Sequence, residues 1–311
     1  LLARCLAHAA FLMLAVGLAH SETWRFTVIG DTPYSARERR ELPGMLEAIT
    51  ERADRPAFIV HVGDFKHSRE RCSDELFRDR LALFDAARAP FVFVPGDNEW
   101  TDCQRLIAGH YDEQERLRRL RALFFAEPRS LGRQRMALEQ QSGAHPEHLR
   151  WRIGEVVFAT LNVPGPDNNF GNGASGSSEF HARNPALLDW IDAAFTAARR
   201  DNARGVVLFM QGNPAFKHDA AGLAHAGYRD LLERIRQQTR AFAGQVLLVH
   251  GDTHWQRVDR PLRIGAQKLA NFTRLESFGS PFMGWVDVTV DSDDAQLFHF
   301  TAHPLPYRAF P

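Results

Sequence analysis

Neither sign of charge is in excess across the 311 residues: 38 Lys and Arg stand against 38 Asp and Glu. That balance argues against a nucleic-acid scaffold, which carries a basic excess or a basic stripe. No segment is biased enough in composition for extended disorder, no internal repeat or heptad pattern is present, and no linker divides the chain. The apolar run at the start, Cys5 to Ala19, is broken by His8 and is too short to span a bilayer comfortably. With Arg4 before it and small residues at Ala19 and Ser21, it reads as a secretory signal peptide; a buried or anchoring N-terminal helix is the alternative. The expected product is one domain over residues 22–311, exported to a periplasmic or extracellular space and retaining no membrane span. Cysteine is scarce, with three in all, and Cys5 lacks the small-residue context of a lipoprotein signal. Cys72 and Cys103 remain, and an even pair in an exported chain reads as a disulfide. Two unrelated thiols is the alternative.

What the chain does have is a series of short apolar runs ending in Gly or Pro turns: Trp24–Gly30, Ala57–Gly63, Phe91–Gly96, Glu155–Asn162, Gly205–Gly212 and Gln245–Gly251. They are continuous rather than alternating, the pattern of strands buried on both faces. Helical spacing fills the intervals at Ala36–Arg52, Leu76–Ala87, Tyr111–Phe125, Pro185–Arg200 and Ala226–Arg240. The alternation predicts an α/β fold with a mainly parallel core. Residues 149–162 predict a hairpin turning at Gly154-Glu155, and the tail from Lys268 predicts antiparallel strands closing a second sheet. The Gly/Asn/Ser/Pro-rich stretch from Asn162 to Pro185 predicts a long loop, either a lid or a disordered segment.

Four strands end in acidic turns: Asp31 in GDTPY, Asp64 in GDFKH, Asp97 in GDNEW and Asp252 in GDTHW; a fifth ends in the amides of QGNP. Ligand sites of parallel α/β sheets form at the carboxyl ends of strands. Carboxylates sharing one crevice repel by about 4 kcal/mol per pair near 4 Å at an effective dielectric near 20, unless cations or protons neutralise them. One Gly-Asp is a common loop dipeptide; four after buried strands point to metal binding.

The ordered set GDTPY, GDFKH, GDNE, QGNP and HGDTH resembles the calcineurin-like metallophosphoesterases, from about Thr23 through Phe300. The resemblance implies two mixed β-sheets flanked by helices in a four-layer sandwich, and two divalent metal ions (Mn, Fe, Zn, Mg or Ca). It implies a first site of Asp31, Asp64, His67 and His254. His67 substitutes for the family's histidine at Pro33, three residues after Asp64, where the purple acid phosphatase branch places a metal-binding Tyr. The second site then comprises Asp64, Asp97, Gln211 and Asp252, an oxygen-only set suited to hard ions. Asn98 occupies the position of the family's catalytic His and, unlike it, cannot act as a general acid, a loss worth about 10²–10⁴ in rate. Glu99 follows as a further catalytic or supporting acid.

Tyr34, Lys66 and His218 are the alternative proton donors, and Tyr34, Asn98, Asn162 and His218 the candidate substrate contacts, with Asn168 and Asn169 beside them. His61 is expected in the core, and Trp100, Trp255 and Trp285 in packing. The implied activity is hydrolysis of a phosphomonoester or phosphodiester on a small molecule by a metal-bridging hydroxide, nucleic acid being disfavoured by the charge balance. The rival from another class is a metal- or ligand-binding protein on the same fold with little hydrolytic activity.

Overall fold

A computed structural model describes residues 23–171 and 176–306. The expected signal segment, 1–21, lies outside them.

The apolar runs form two mixed sheets. One has five strands in the order β14 (Phe298–Pro304), β13 (Gly284–Val290), β1 (Trp24–Ile29), β2 (Ile59–His61) and β3 (Phe91–Phe93). The other has seven: β4 (Glu139–Gln140), β5 (Leu149–Ile153), β6 (Val156–Thr160), β7 (Gly205–Phe209), β8 (Gln245–His250), β12 (Phe272–Glu276) and β9 (Arg257–Asp259). A two-stranded ribbon, β10 (Arg263–Ile264) with β11 (Gln267–Lys268), stands apart. Strands β1–β3 run parallel to one another, as do β6, β7, β8 and β12.

Alternation along each strand explains the continuous apolar text. Phe158, Val207, Phe209, Leu247 and Val249 face the other sheet, whereas Val157, Ala159, Val206, Leu208, Val246 and Leu248 face outward into a second cluster. Aromatic rings fill the gap between sheets: Phe26 stacks on Phe58 at 5.0 Å and Trp151 on Phe158 at 5.2 Å, with Phe58 edge-on to Trp151 at 5.3 Å. Helices α1 (Ala36–Glu51), α2 (Asp74–Asp85) and α3 (Glu113–Phe124) pack with the five-stranded sheet, where Phe84 stacks on Phe91 at 4.5 Å. Helices α4 (Gly176–Arg200) and α6 (Ala226–Ala241) cover the outer face of the seven-stranded sheet, and the short α5 (Phe216–Ala220) follows β7. The result is the α/β arrangement of two mixed sheets flanked by helices that the sequence predicts.

Two local expectations fail. The tail does not form one antiparallel unit: β12 inserts beside β8 in parallel register, and only β13 and β14 run antiparallel, extending the first sheet from β1. The 162–185 stretch is not loop throughout: α4 begins at Gly176 and carries Pro185 inside it. A fully buried Arg183 anchors that early part, bonding Glu179 one turn back and the Asn162 and Asn168 oxygens. Among the described residues, no helix is long and apolar enough to cross a membrane.

A buried polar network lies under β5. Glu147 is wholly enclosed, receives a two-pronged bond from Arg121 (2.6 and 2.8 Å), and accepts from the Asn162 amide at 2.9 Å. Its neighbour His148 is also wholly buried, with Nδ1 at 2.6 Å from the Gln141 oxygen, and burial pushes its pKa down from 6.5 to about 3. The folded protein therefore binds fewer protons at this ring than the unfolded chain between those values. Its contribution is complete above pH 6.5 and is lost as pH falls toward 3; at pH 5 the loss is roughly 2 kcal/mol. In denaturant titrations, the difference in unfolding free energy between pH 7.5 and pH 5 is expected to change by about that amount in His148→Gln, in the direction of less acid sensitivity.

Candidate functional site

All the acidic turns emerge at the carboxyl ends of their strands: Asp31 after β1, Asp64 after β2, Asp97 after β3 and Asp252 after β8, with Gln211 after β7. Four of the candidate ligands take left-handed backbone angles: Asp31 (φ 50°), Asp64 (φ 60°), Asp252 (φ 80°) and His254 (φ 59°). Such turns aim side chains sharply off the strand axis and are tolerated best by Asp, Asn and His among residues with a Cβ. Two glycines make room. A Cβ at Gly96 would lie 2.1 Å from an Asp64 carboxylate oxygen, and one at Gly251 would lie 2.2 Å from Asp31 Oδ2.

Asp64 is the hub. Its Oδ2 accepts from the Tyr34 hydroxyl (3.0 Å), Asn98 Nδ2 (2.8 Å) and Gln211 Nε2 (3.2 Å), and its Oδ1 accepts from the Asn98 backbone N–H (3.1 Å). Asn98 Nδ2 also donates to the Tyr34 oxygen at 3.0 Å. Asp31 accepts from the Asp252 backbone N–H (3.0 Å) and from the Ser277 hydroxyl (3.3 Å), and faces His254 Nε2 at 3.5 Å. His254 Nδ1 lies 2.6 Å from the Ser280 carbonyl. A carbonyl only accepts, so Nδ1 carries the proton and Nε2 is the nitrogen turned to the acids. A backbone carbonyl fixing the tautomer in this way is characteristic of metal-binding histidines.

Charge is poorly balanced here. Burial, reinforced by Asp97, Glu99 and Asp31, raises the Asp64 pKa well above the usual carboxylate range. Burial, with Asp102, Asp252 and Glu99 adding repulsion, does the same to Asp97, whose Oδ1 is buried without a hydrogen-bond partner among the described residues. Burial takes Asp252 to about 7 against an opposing bond from the Asn213 N–H. Burial likewise raises Asp31, which His254 partly offsets. The nearest basic groups are His254 and Lys66, whose fully buried ammonium reaches the His67 carbonyl at 2.9 Å. The donor chemistry, oxygen-rich with one imidazole, fits hard or borderline divalent ions. The side chains are nevertheless turned to one another: among the described residues, no group of three or more His, Cys, Asp or Glu stands arranged to hold a metal ion. Gln211 presents its nitrogen to Asp64, while its oxygen accepts from the Gly165 N–H at 2.6 Å.

Several sequence expectations need correction. His67 makes no described contact with Asp31, Asp64 or His254. Its Nδ1 accepts from the Arg69 N–H at 3.0 Å, and Tyr34 occupies the space between, with ring centroids 5.5 Å from His67 and 5.2 Å from His254. Glu99 is a positioning residue, not a catalytic one: its carboxylate accepts from the Phe65 and Gly96 backbone N–H groups, joining the turns that carry Asp64 and Asp97. Asn162 is buried on Glu147, Asn168 bonds the Gly227 carbonyl at 3.0 Å, and Asn169 bonds Glu179 at 3.0 Å. The amide nitrogens of Asn168 and Asn169 knit the loop to α6 and α4, that of Asn162 ties it to Glu147, and none is offered to a substrate. His218 stacks on His225 at 5.2 Å in a neighbouring cavity, away from the acids. His61 is buried, with Nε2 2.7 Å from the Thr32 carbonyl. Trp100 and Trp285 pack inside, whereas Trp255 is 72% exposed.

Sequence reading missed the Ser280 carbonyl, the Ser277 hydroxyl and the Asn213 N–H, which orient His254, Asp31 and Asp252. Nothing in a Gly-Ser-Pro turn marks a carbonyl as an imidazole partner. Cys72 and Cys103 are bonded, with Cα atoms 5.7 Å apart. Both sulfurs lie under the Asn98 carbonyl, at 3.6 and 3.7 Å. The bridge thus ties the segments following β2 and β3 beneath the site and contributes about 3–4 kcal/mol on chain-entropy grounds.

No protein-family model matches the chain, and no curated protein matches it in sequence. Among solved structures it is similar to the purple acid phosphatase PPD1 from yellow lupin (Lupinus luteus) seeds, at 12% identity and a TM-score of 0.48, covering 91% of this chain and 54% of that one. This chain therefore spans about half the length of that phosphatase.

Proposed function

We propose that the chain is an exported, metal-dependent hydrolase of small-molecule phosphoesters. The observation that carries this reading is the crowd of buried carboxylates at four strand ends, with one oxygen of Asp97 unpartnered among the described residues and His254 and Lys66 partly offsetting the charge. Asp31, Asp64 and His254 would hold one cation; Asp64, Asp97 and Asp252 a second, with Gln211 joining only if its amide turns over. His67 belongs to neither. When bound, divalent ions supply phosphate charge neutralisation and a water of lowered pKa.

The chain's own part is placement and hydrogen bonding. Asn98 and Tyr34 present an amide and a hydroxyl at Asp64; their donor hydrogens serve Asp64 and the Tyr34 oxygen, and would reach a phosphoryl oxygen by exchanging those partners. Neither is an effective proton source: the amide has no acidic proton, and burial beside Asp64 raises the Tyr34 pKa well above 10. The reaction therefore suits leaving groups that depart without protonation. The bonded cysteines support an oxidising compartment, periplasmic or extracellular.

A second reading is a binding protein with little turnover. It is favoured by the amide nitrogens of Asn98 and Gln211 resting on Asp64. A series of aryl phosphates of decreasing leaving-group acidity, assayed with manganese and with chelator, separates the two. The hydrolase reading expects chelator-sensitive turnover that falls steeply along the series. Elemental analysis showing bound metal without turnover on any member selects the binding protein.

A further inference from the structure

A cavity of about 590 Å³ opens beside the acid crevice, between α5, the β9 edge and the β10–β11 ribbon. That is within the range of small-molecule sites. Its charge is opposite to that of the crevice: six cations, Lys217, Arg257, Arg260, Arg263, Lys268 and Arg274, line it. Asp259 pairs with Arg274 at 2.5 Å and Glu276 with Arg257 at 2.6 Å, which leaves a surplus of four positive charges, six less two. Those pairings hold the two guanidinium groups in place from behind. Arg263 is tethered to the Ala266 carbonyl at 2.7 Å, whereas the side chains of Lys217 and Lys268 are exposed and their ammonium groups make no ion pair or hydrogen bond among the described residues. The buried ring of Phe216, with the Arg274 guanidinium 5.4 Å from its centroid, supplies an apolar wall.

Asn213 joins the two places. It lines the cavity, its N–H donates to Asp252 Oδ2 at 2.8 Å, and its amide reaches Thr253 Oγ1 at 3.4 Å. Thr253 in turn donates to Glu276, the partner of Arg257. An anion held by the lysines and arginines would thus sit one residue away from the carboxylate wall. A chain with no net charge has concentrated cations beside concentrated acids, and a ligand with one phosphate uses only one of them.

Resting on the hydrolase reading above, we infer that this cavity binds a second phosphate of the substrate. The substrate class is small molecules bearing two or more phosphates, one placed at the acid crevice and another among Lys217, Arg263 and Lys268. Forked guanidinium groups suit phosphate geometrically, and the free ammonium groups add point charge.

The test uses the full chain and two readouts. Inorganic pyrophosphate is titrated calorimetrically into chelator-treated protein, where the acids at the strand ends repel anions and the cation cavity attracts them. Lys217→Ala/Lys268→Ala, at two exposed positions, is expected to weaken binding about tenfold, whereas Arg88→Ala/Arg133→Ala, which removes the same charge elsewhere, binds as wild type does. In the second readout, the kcat/KM ratio of a bisphosphorylated to a monophosphorylated substrate falls about tenfold in the lysine variant. Equal pyrophosphate affinity in wild type and the lysine variant overturns the inference, whatever the hydrolysis shows. Lysine-dependent pyrophosphate binding in a protein that hydrolyses nothing supports the anion site and instead sinks the hydrolase reading.

Discussion

Asp64→Ala is expected to lower metal-dependent phosphoester turnover by at least about 10³-fold, the rate equivalent of several kcal/mol of lost transition-state charge stabilisation. Asp64 contacts Tyr34, Asn98 and Gln211 and is repelled by Asp97, Glu99 and Asp31, so no other carboxylate is shared by as much of the site. Steady-state assay with saturating manganese measures the effect; turnover within tenfold of wild type refutes the assignment. The same electrostatics gives Asp97→Asn two opposite consequences. Turnover falls, while the chelated protein becomes more stable by roughly 0.5–2 kcal/mol, because a buried carboxylate with one oxygen unpartnered among the described residues, repelled by Asp102, Asp252 and Glu99, is replaced by a neutral group. Adding manganese then raises the melting temperature of wild type more than that of the variant. A melting temperature lowered by Asp97→Asn in chelator shows that the carboxylate is compensated without metal.

Arg121→Ala is expected to destabilise the fold by about 3–5 kcal/mol, since it leaves Glu147 charged and enclosed. Burial alone favours the neutral acid, yet His145, with Nδ1 3.9 Å away, and the guanidinium of Arg121 hold Glu147 below the usual carboxylate range. The damage is specific to the stranded charge, so Arg121→Ala/Glu147→Gln should recover much of it. Urea unfolding of the two single variants and the double variant measures the coupling. Additive losses would show that Arg121 acts through packing and not through the ion pair. The network also holds Asn162 through Glu147, so loosening it frees the start of the segment leading to α4.

Strand and helix positions were largely legible because each central strand is apolar on both faces and each helix shows an apolar stripe; α1, α2, α3 and α6 fall within about two residues of the spacing-based ranges. The start of α4 was not. Gly, Ser and a proline at 185 argue locally for loop, and what overrides them is tertiary: Arg183 bonded to Glu179 and to the loop oxygens. Sheet membership in the tail was also hidden, because text that fixes a strand does not name its neighbour. For the site, the Gly-Asp turns identified which strands end in carboxylates, and these are buried and close enough to repel one another. Direction was the missing quantity. His67 has the right spacing from Asp64, yet its ring packs edge-on to Tyr34 and its Nδ1 serves the Arg69 N–H. Similarly, Glu99 was legible as a nearby acid but not as a clamp on two backbone turns.

The left-handed turns at Asp31, Asp64, Asp252 and His254 restrict which amino acids can ever replace these ligands. Val, Ile and Thr clash there, while Asn, Asp, His and Gly are admitted. Mutational drift at these positions is thereby confined to exchanging one short donor for another, or to deleting it outright. A change of metal preference over evolutionary time then proceeds through acid, amide and imidazole exchanges, and the backbone itself, independently of any selection on catalysis, screens out bulkier alternatives.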